Sequence, residues 1–309
     1  MLQFERNVFV RRYHDKLGVV MPNTLLADHF EKKYKQFMDA NKKINDRDTV
    51  LIASYFLPVR LKHSDQCGWS VERDPDSLIS FDLPYATSVF VGTVRFRNKL
   101  IPLEHQAEVT HVLHEHRCHP IFVSENIYHD FYDVWCKDRL WTVLQQPANV
   151  FLPIDQLLAT IETDVDTQLW ISCNALMALF RNKLVELFYA NYLVWLHGYE
   201  FILLSSYIRR KLITAKIGYF FHSPVHPSEN WTVIFRREDL LRGMLGANQI
   251  GFHSFEHSKS FVSACCRMLG YVSYIDQYGR LILNVDSNEI IITSIHKGLD
   301  LGCATVGSI

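Results

Sequence analysis

Short, nearly continuous apolar runs recur along the chain, separated by longer amphipathic stretches. The first is Thr49–Ser54 (TVLIAS), and others follow at Ser88–Thr93, Pro120–Val123, Tyr192–Leu196, Ile217–Phe221, Gln249–His253 and Glu289–Ile295. Runs of this length without polar alternation predict strands of a parallel sheet buried on both faces. Pro102–His116, Thr167–Tyr189, Phe201–Leu212, Arg237–Leu245 and Glu256–Leu269 are long and periodic enough to be the crossover helices. The alternation predicts a three-layer α/β sandwich with a mainly parallel sheet. Ahead of the first strand, His29–Asp46 carries Phe30, Tyr34 and Phe37 in a highly charged setting, the pattern of a short amphipathic helix. The organisation expected is therefore an extension over residues 1–48 and one α/β domain over 49–309.

Composition narrows the partners. Thirty-two Lys and Arg balance thirty-three Asp and Glu, so no global field draws the protein to nucleic acid or to an anionic membrane. The longest apolar stretches, 169–180 and 193–204, are broken by Ser172 and Asn174 and by His197 and Glu200. Neither approaches the ~20 apolar residues of a membrane span. The first sixteen residues alternate apolar and charged positions and lack the apolar core of a secretory signal. Seven scattered cysteines do not form a disulfide framework, and the expected compartment is the reducing cytoplasm. Cys265–Cys266 reads as two small buried residues on a helix.

In parallel sheets, ligands bind at the carboxyl ends of the strands. That rule selects His197-Gly198-Tyr199-Glu200 and His222-Ser223-Pro224, each opening on a histidine at a strand end. The run from His111 through His114, His116 and Cys118 to His119 has the residue types of a zinc site. Its spacing matches neither C-x-x-C nor H-E-x-x-H, and helix geometry turns His116 away from His111, which favours a solvated helix end. Gly243-Met-Leu-Gly246-Ala-Asn-Gln-Ile-Gly251 has neither the lysine of a phosphate-binding loop nor a G-x-G core, and no G-x-S-x-G elbow occurs. Tyr128, Phe131, Tyr132, Trp135 and Trp141 crowd a segment read as irregular, where aromatic faces either line a sugar site or fill the core.

Longer strings carry a specific resemblance. VWLHGYEF (194–201), GYFFHSPVHPSE (218–229), RREDLLRGML (236–245), QIGFHSF (249–255) and CCRMLG (265–270) are collinear with VWVHDYHL, GFFLHSPFPSSE, R-E-x-L-L-R-x-L-L, D-L-I-G-F-H-T-F and C-x-R-M-L-G. Earlier, Leu51–Pro58 is similar to VVSNRLP. Gly68–Ser70 with Asp74–Leu78 is similar to GGWSFSWDEDSL, and Phe131–Trp141 to FYHGFCKQQLW. The tail from Ile290 to Gly302 is similar to the strand that ends in LPVGIH. The family these residues resemble is that of the trehalose-6-phosphate synthases, glycosyltransferase family 20, in its plant-like branch, over residues 49–302.

The resemblance implies the N-terminal, Rossmann-like acceptor half of a GT-B glycosyltransferase, which transfers glucose from UDP-glucose to glucose 6-phosphate with retention and without metal or other cofactor. It implies substrate-binding roles for Tyr132, Trp141 and His197 and a catalytic-face role for His222. Other positions depart from the pattern. The arginine that would grip the sugar phosphate is Phe56, the aspartate that would bond sugar hydroxyls is Gly198, and the second histidine of that motif is Glu200. The glycine pair of the phosphate loop falls on Pro75-Asp76, where proline removes a donor N–H, and a glycine of the aromatic segment is Val134. Loss of the arginine and aspartate should remove roughly 1.5–3 kcal/mol per charge-assisted bond. The sequence ends just after the hinge-like strand, so the donor domain is expected to be absent and the chain alone inactive. Two readings follow: an acceptor half completed elsewhere, or a non-catalytic paralogue that pairs with active synthase or phosphatase subunits.

Overall fold

The computed structural model describes residues 49–295, except 65, 67, 78, 80–85, 146–163, 190–191, 226–230, 232–233 and 287. The helix expected over His29–Asp46 lies outside the described residues. Thirteen strands occur among them: β1 (Thr49–Phe56), β2 (Val59–Ser64), β3 (Gly68–Arg73), β4 (Thr87–Thr93), β5 (Arg95–Phe96), β6 (Lys99–Leu100), β7 (Cys118–Ile121), β8 (Leu193–His197), β9 (Lys216–Phe221), β10 (Gln249–Phe252), β11 (Val272–Ile275), β12 (Leu281–Val285) and β13 (Asn288–Ser294). Nine of them form one sheet in the order β11-β12-β13-β10-β9-β8-β1-β4-β7. The seven strands from β13 to β7 run parallel, and β12 and β11 extend the sheet antiparallel.

This is the mainly parallel sheet read from the apolar runs, and its central strand shows why they are continuous. Leu51, Ala53 and Tyr55 of β1 enter a large core on one face, whereas Val50 and Ile52 enter a second core on the other. Alternate side chains of a strand point to opposite faces, so a strand buried twice cannot carry polar residues in alternation. The second core is closed by Val109 and Leu113 of helix α1 (Leu103–Glu115) and by Leu61 of the β2–β3 hairpin.

On the other face lie a short helix α2 (Glu125–Tyr128), a wide helix with i→i+5 turns (His129–Trp141), α3 (Thr142–Gln145) and the long α4 (Asp164–Leu187). The segment read as irregular is therefore helical. Its buried residues, Phe131, Trp135, Cys136 and Leu140, recur at four to five positions, as the wider turn requires. It is tied to α4 by Ser172 Oγ donating to Asp130 Oδ2 at 2.8 Å and by Arg139 against the buried Asp166 at 3.3 Å. The helix read over Phe201–Leu212 is a 3₁₀ turn (Tyr199–Phe201) followed by α5 (Leu204–Arg209), and α6 (Arg237–Met244) and α7 (Phe255–Leu269) complete the layer. Helix α7 starts where Ser254 Oγ accepts from His257 N and ends at Gly270 with φ +74°. Among the described residues no helix is long and apolar enough to cross a membrane.

Candidate functional site

The chain leaves β1 toward β4 and β7 on one side, then returns to lay β8, β9 and β10 on the other. The order of strands thus reverses between β1 and β8, and in open parallel sheets such a switch point, beyond the carboxyl ends of the strands, is where ligands bind. Phe56 ends β1, His197 ends β8 and His222 directly follows β9, so three of the residues singled out from sequence meet at this switch point.

The histidines form a chain. His197 Nδ1 lies 2.8 Å from His222 Nε2, with the rings stacked 5.2 Å apart, and His222 Nδ1 lies 3.3 Å from His253 Nε2. A neutral imidazole donates from one nitrogen and accepts at the other. Three in a row across adjacent strand ends therefore share one direction of donation, and the tautomer of any one fixes the rest. His253 was missed from sequence as a site residue, although it follows β10 as His222 follows β9.

The aromatic wall comes from the wide helix. Tyr132 stacks on Tyr55 at 4.6 Å and meets the edge of Phe56 at 5.0 Å. Trp141, 41% exposed, packs its ring 5.2 Å from Tyr199. Tyr132 and Trp141 are nine residues apart, two and a half turns of an α-helix and hence opposite faces. At four to five residues per turn, nine residues make about two turns, and both rings face the same side. Burial, with Glu200 next, raises the Tyr132 phenol to about 12. The Tyr55 hydroxyl is buried and has no hydrogen-bond partner among the described residues.

Phe56 supports a cation that the sequence did not flag. The Arg95 guanidinium lies 4.1 Å above its ring and donates to Tyr128 Oη at 2.5 Å. Arg95 opens β5, two residues beyond β4, so it projects from the neighbouring strand end. The signal available in the sequence was its position just past a parallel strand.

Gly198 adopts φ +100° and ψ 155°, a conformation that side chains disfavour. The space that a β-carbon at this position would need is taken by Oε2 of Glu200. Glu200 is partly open to solvent but surrounded by protein, and burial raises its carboxyl to about 7 despite a bond from its own backbone N–H. Tyr219, buried below, donates its hydroxyl to the Gly198 carbonyl at 2.9 Å.

Pro75 and Asp76 sit elsewhere, on a turn after β3. Asp74 Oδ1 accepts from Asp76 N at 3.1 Å, and Arg60 pairs with Asp74 at 2.8 Å and with Asp76. The histidine-rich run is split: His111 and His114 lie on α1, Cys118 and His119 on β7. Burial raises the Cys118 thiol to about 12, opposing the thiolate a metal needs. Among the described residues no group of three His, Cys, Asp or Glu is placed to hold a metal ion. Gly243 and Gly246 serve packing: a β-carbon would meet Ile202 O at 2.7 Å and Ser206 N at 2.5 Å, respectively.

A doubly wound, mainly parallel sheet with histidines, aromatic rings and a carboxyl at its switch point has the Rossmann-like architecture of a GT-B domain. The description "Glycosyltransferase family 20" fits residues 28–305, and the chain belongs to that family. It is 28% identical over 274 residues to the Arabidopsis thaliana protein named probable alpha,alpha-trehalose-phosphate synthase (UDP-forming) 9, covering 85% of this chain and 30% of that protein. It is also 28% identical to the A. thaliana alpha,alpha-trehalose-phosphate synthase (UDP-forming) 6, covering 84% and 31%. The N-terminal domain of Candida albicans trehalose-6-phosphate phosphatase superposes with a TM-score of 0.63 at 20% identity, covering 82% of this chain and 50% of that one. A Burkholderia xenovorans alpha,alpha-trehalose-phosphate synthase in complex with glucose-6-phosphate superposes at 0.56 with 13% identity, covering 82% and 50%. The chain thus spans about a third of its curated relatives and half of these structures.

Proposed function

We propose that this chain is the acceptor-binding part of a trehalose-phosphate synthase-like protein, holding glucose 6-phosphate at the β1/β8 switch point for glucosyl transfer from UDP-glucose. The observation that carries the reading is that Tyr132 packs on Phe56 at the end of β1 and Trp141 on Tyr199, two residues past His197, at the strand ends that also hold the His197–His222 pair. An aromatic platform beside imidazole nitrogens matches a hexose, whose ring has apolar faces and a hydroxyl rim. In this role Tyr132, Trp141 and His197 contact the sugar, and His222 faces the reacting centre. The region 49–309 forms the acceptor domain behind an extension over 1–48. The cytoplasm suits it, because Cys118, Cys136, Cys173, Cys265 and Cys266 are all free.

The test is calorimetry with glucose 6-phosphate. Binding weakened at least about tenfold by Trp141→Ala, a loss of roughly 1.4 kcal/mol, supports the reading; no binding at millimolar ligand removes it. A second reading, a non-catalytic partner of other synthase or phosphatase subunits, is favoured by Phe56 and Gly198, which replace the family's charged groups. Release of UDP from UDP-glucose and glucose 6-phosphate by the 309-residue chain alone would eliminate it. In either case transfer needs both substrates held in contact.

A further inference from the structure

We propose that Glu200 and Arg95 are specificity-determining residues of this acceptor site, the first a carboxylate for sugar hydroxyls and the second a guanidinium for the sugar phosphate, each standing in for a charged side chain absent from positions 198 and 56. The inference rests on the acceptor-binding reading above and adds which groups do the recognising.

The geometry at Gly198 is a substitution in space. Oε2 of Glu200 fills the volume into which any side chain at 198 would begin to grow. The carboxylate is displaced by two positions along the chain, and its oxygen returns to the same strand end. The left-handed backbone at Gly198 makes room for this, since with φ +100° an L-residue there is strained as well as blocked. Around the carboxyl stand Tyr55 of β1, Tyr132 and Cys136 of the wide helix, Tyr199 of the 3₁₀ turn and Tyr219 of β9, all of whose ionisation Glu200 opposes. None of these neighbours is a cation. A carboxylate set among tyrosines without a counter-ion retains lone pairs for ligand hydroxyls, and the buried, unpartnered Tyr55 hydroxyl is a donor or acceptor beside it.

The geometry at Phe56 follows the same logic. Its ring cannot bind phosphate, but it carries the Arg95 guanidinium at 4.1 Å, with Tyr128 and Tyr132 rings at 5.5 and 5.8 Å. One N–H is spent on Tyr128 Oη. No carboxylate among the described residues pairs with Arg95, whereas nearby Lys137 already meets Asp133 at 3.4 Å. A guanidinium held 4.1 Å over the Phe56 ring with one N–H on Tyr128 keeps its other N–H groups for an anion, and its planar fork suits bidentate contact with phosphate oxygens. Tyr132 lies within the field of both groups: Glu200 pushes its phenol up and Arg95 pulls it down. Both charges therefore act on the same phenol, with opposite sign.

The experiment is calorimetry on the full chain with glucose 6-phosphate and with glucose at millimolar concentration, for wild type, Arg95→Gln, Arg95→Lys, Glu200→Gln and Glu200→Asp, each checked for native circular dichroism. Arg95→Gln should weaken glucose 6-phosphate about tenfold to a hundredfold and leave glucose unchanged, with partial recovery in Arg95→Lys. Glu200→Gln should weaken both sugars about tenfold and flatten the rise of affinity between pH 6 and 8 that deprotonation produces in wild type. Variants that fold and bind within about twofold of a binding wild type overturn this inference and leave the acceptor reading standing. Equal loss of glucose and glucose 6-phosphate in Arg95→Gln overturns the phosphate assignment, because Arg95 then acts through ring packing. A wild type that binds neither sugar removes the acceptor reading and this inference with it.

Discussion

Burying a carboxyl among tyrosines has a thermodynamic consequence at a single residue. The Glu200 carboxyl is raised from 4.5 to about 7 by burial, so between those values the folded protein holds a proton that the unfolded chain has released. Stability then falls as pH rises through that window, and the penalty is absent below it and complete above it. Taken over the whole shift this amounts to up to about 3 kcal/mol. Glu200→Gln should accordingly gain stability over wild type at pH 8 and show little gain at pH 4.5, read as the difference between the two proteins in urea unfolding. Parallel pH profiles would show that the folded and unfolded carboxyls titrate alike. The same residue shows what sequence reading can and cannot reach. Positions 56, 198 and 200 stood out as altered, because a string comparison proceeds position by position. That the carboxylate returns to the space of the missing one, and that Arg95 covers Phe56, depends on backbone direction and on a neighbouring strand, which no local pattern records.

Among the elements, glycines separate two kinds of constraint. Gly246, just past α6, lies against the backbone of α5, with Ser206 N 2.5 Å from where a β-carbon would sit. Gly246→Ala must push two packed elements apart and should destabilise by about 1–3 kcal/mol, the usual effect of overpacking. Gly270 ends α7 with φ +74° and open space around it. Gly270→Ala there meets only the left-handed conformation and should destabilise by about 1 kcal/mol, with Gly270→Asn milder. Thermal unfolding of the three variants checks the order, and a Gly270→Ala variant worse than Gly246→Ala would reverse the assignment. Periodicity located α7 to within a residue because its apolar face keeps the 3.6-residue spacing. It failed on His129–Trp141 for a physical reason: a helix wound with i→i+5 turns repeats its buried face every four to five residues. That spacing matches neither the helix nor the strand template. The structural property that hid the segment also brings Tyr132 and Trp141 to one side.

For the whole molecule, the legible part of the fold was the parallel part of the sheet. All seven parallel strands coincide with apolar runs: β1, β4, β7 and β8 reach both cores, and β9, β10 and β13 send residues such as Ile217, Tyr219, Ile250 and Ile292 into the larger one. The hairpin β2–β3 and the antiparallel extension β12–β11 escaped notice. β2, β3 and β11 expose much of their surface, with charged or polar residues between the apolar ones, whereas β12 buries Ile282, Leu283 and Val285 and carries an apolar run like those of the parallel strands. This gradient of burial across the sheet predicts a gradient of local stability. Opening β1 or β8 exposes both cores and requires near-global unfolding, whereas β11 lies at the sheet edge with Val272 66% and Ile275 71% exposed and can detach with little apolar surface lost. Amide hydrogen exchange followed by mass spectrometry should therefore rank protection as β1 and β8 first, β4 and β10 next, and β11 last. Because Phe56, His197 and Gly198 belong to the two most protected strand ends, the candidate site should stay ordered while the β11 edge frays. Slow exchange in β11 equal to that in β8 would contradict the gradient and show that the edge is covered in solution. Fast exchange at the ends of β1 and β8 would mean that the switch point is not rigid without ligand. The arrangement of Glu200 and Arg95 would then be completed only on binding, which lowers affinity by the cost of ordering it.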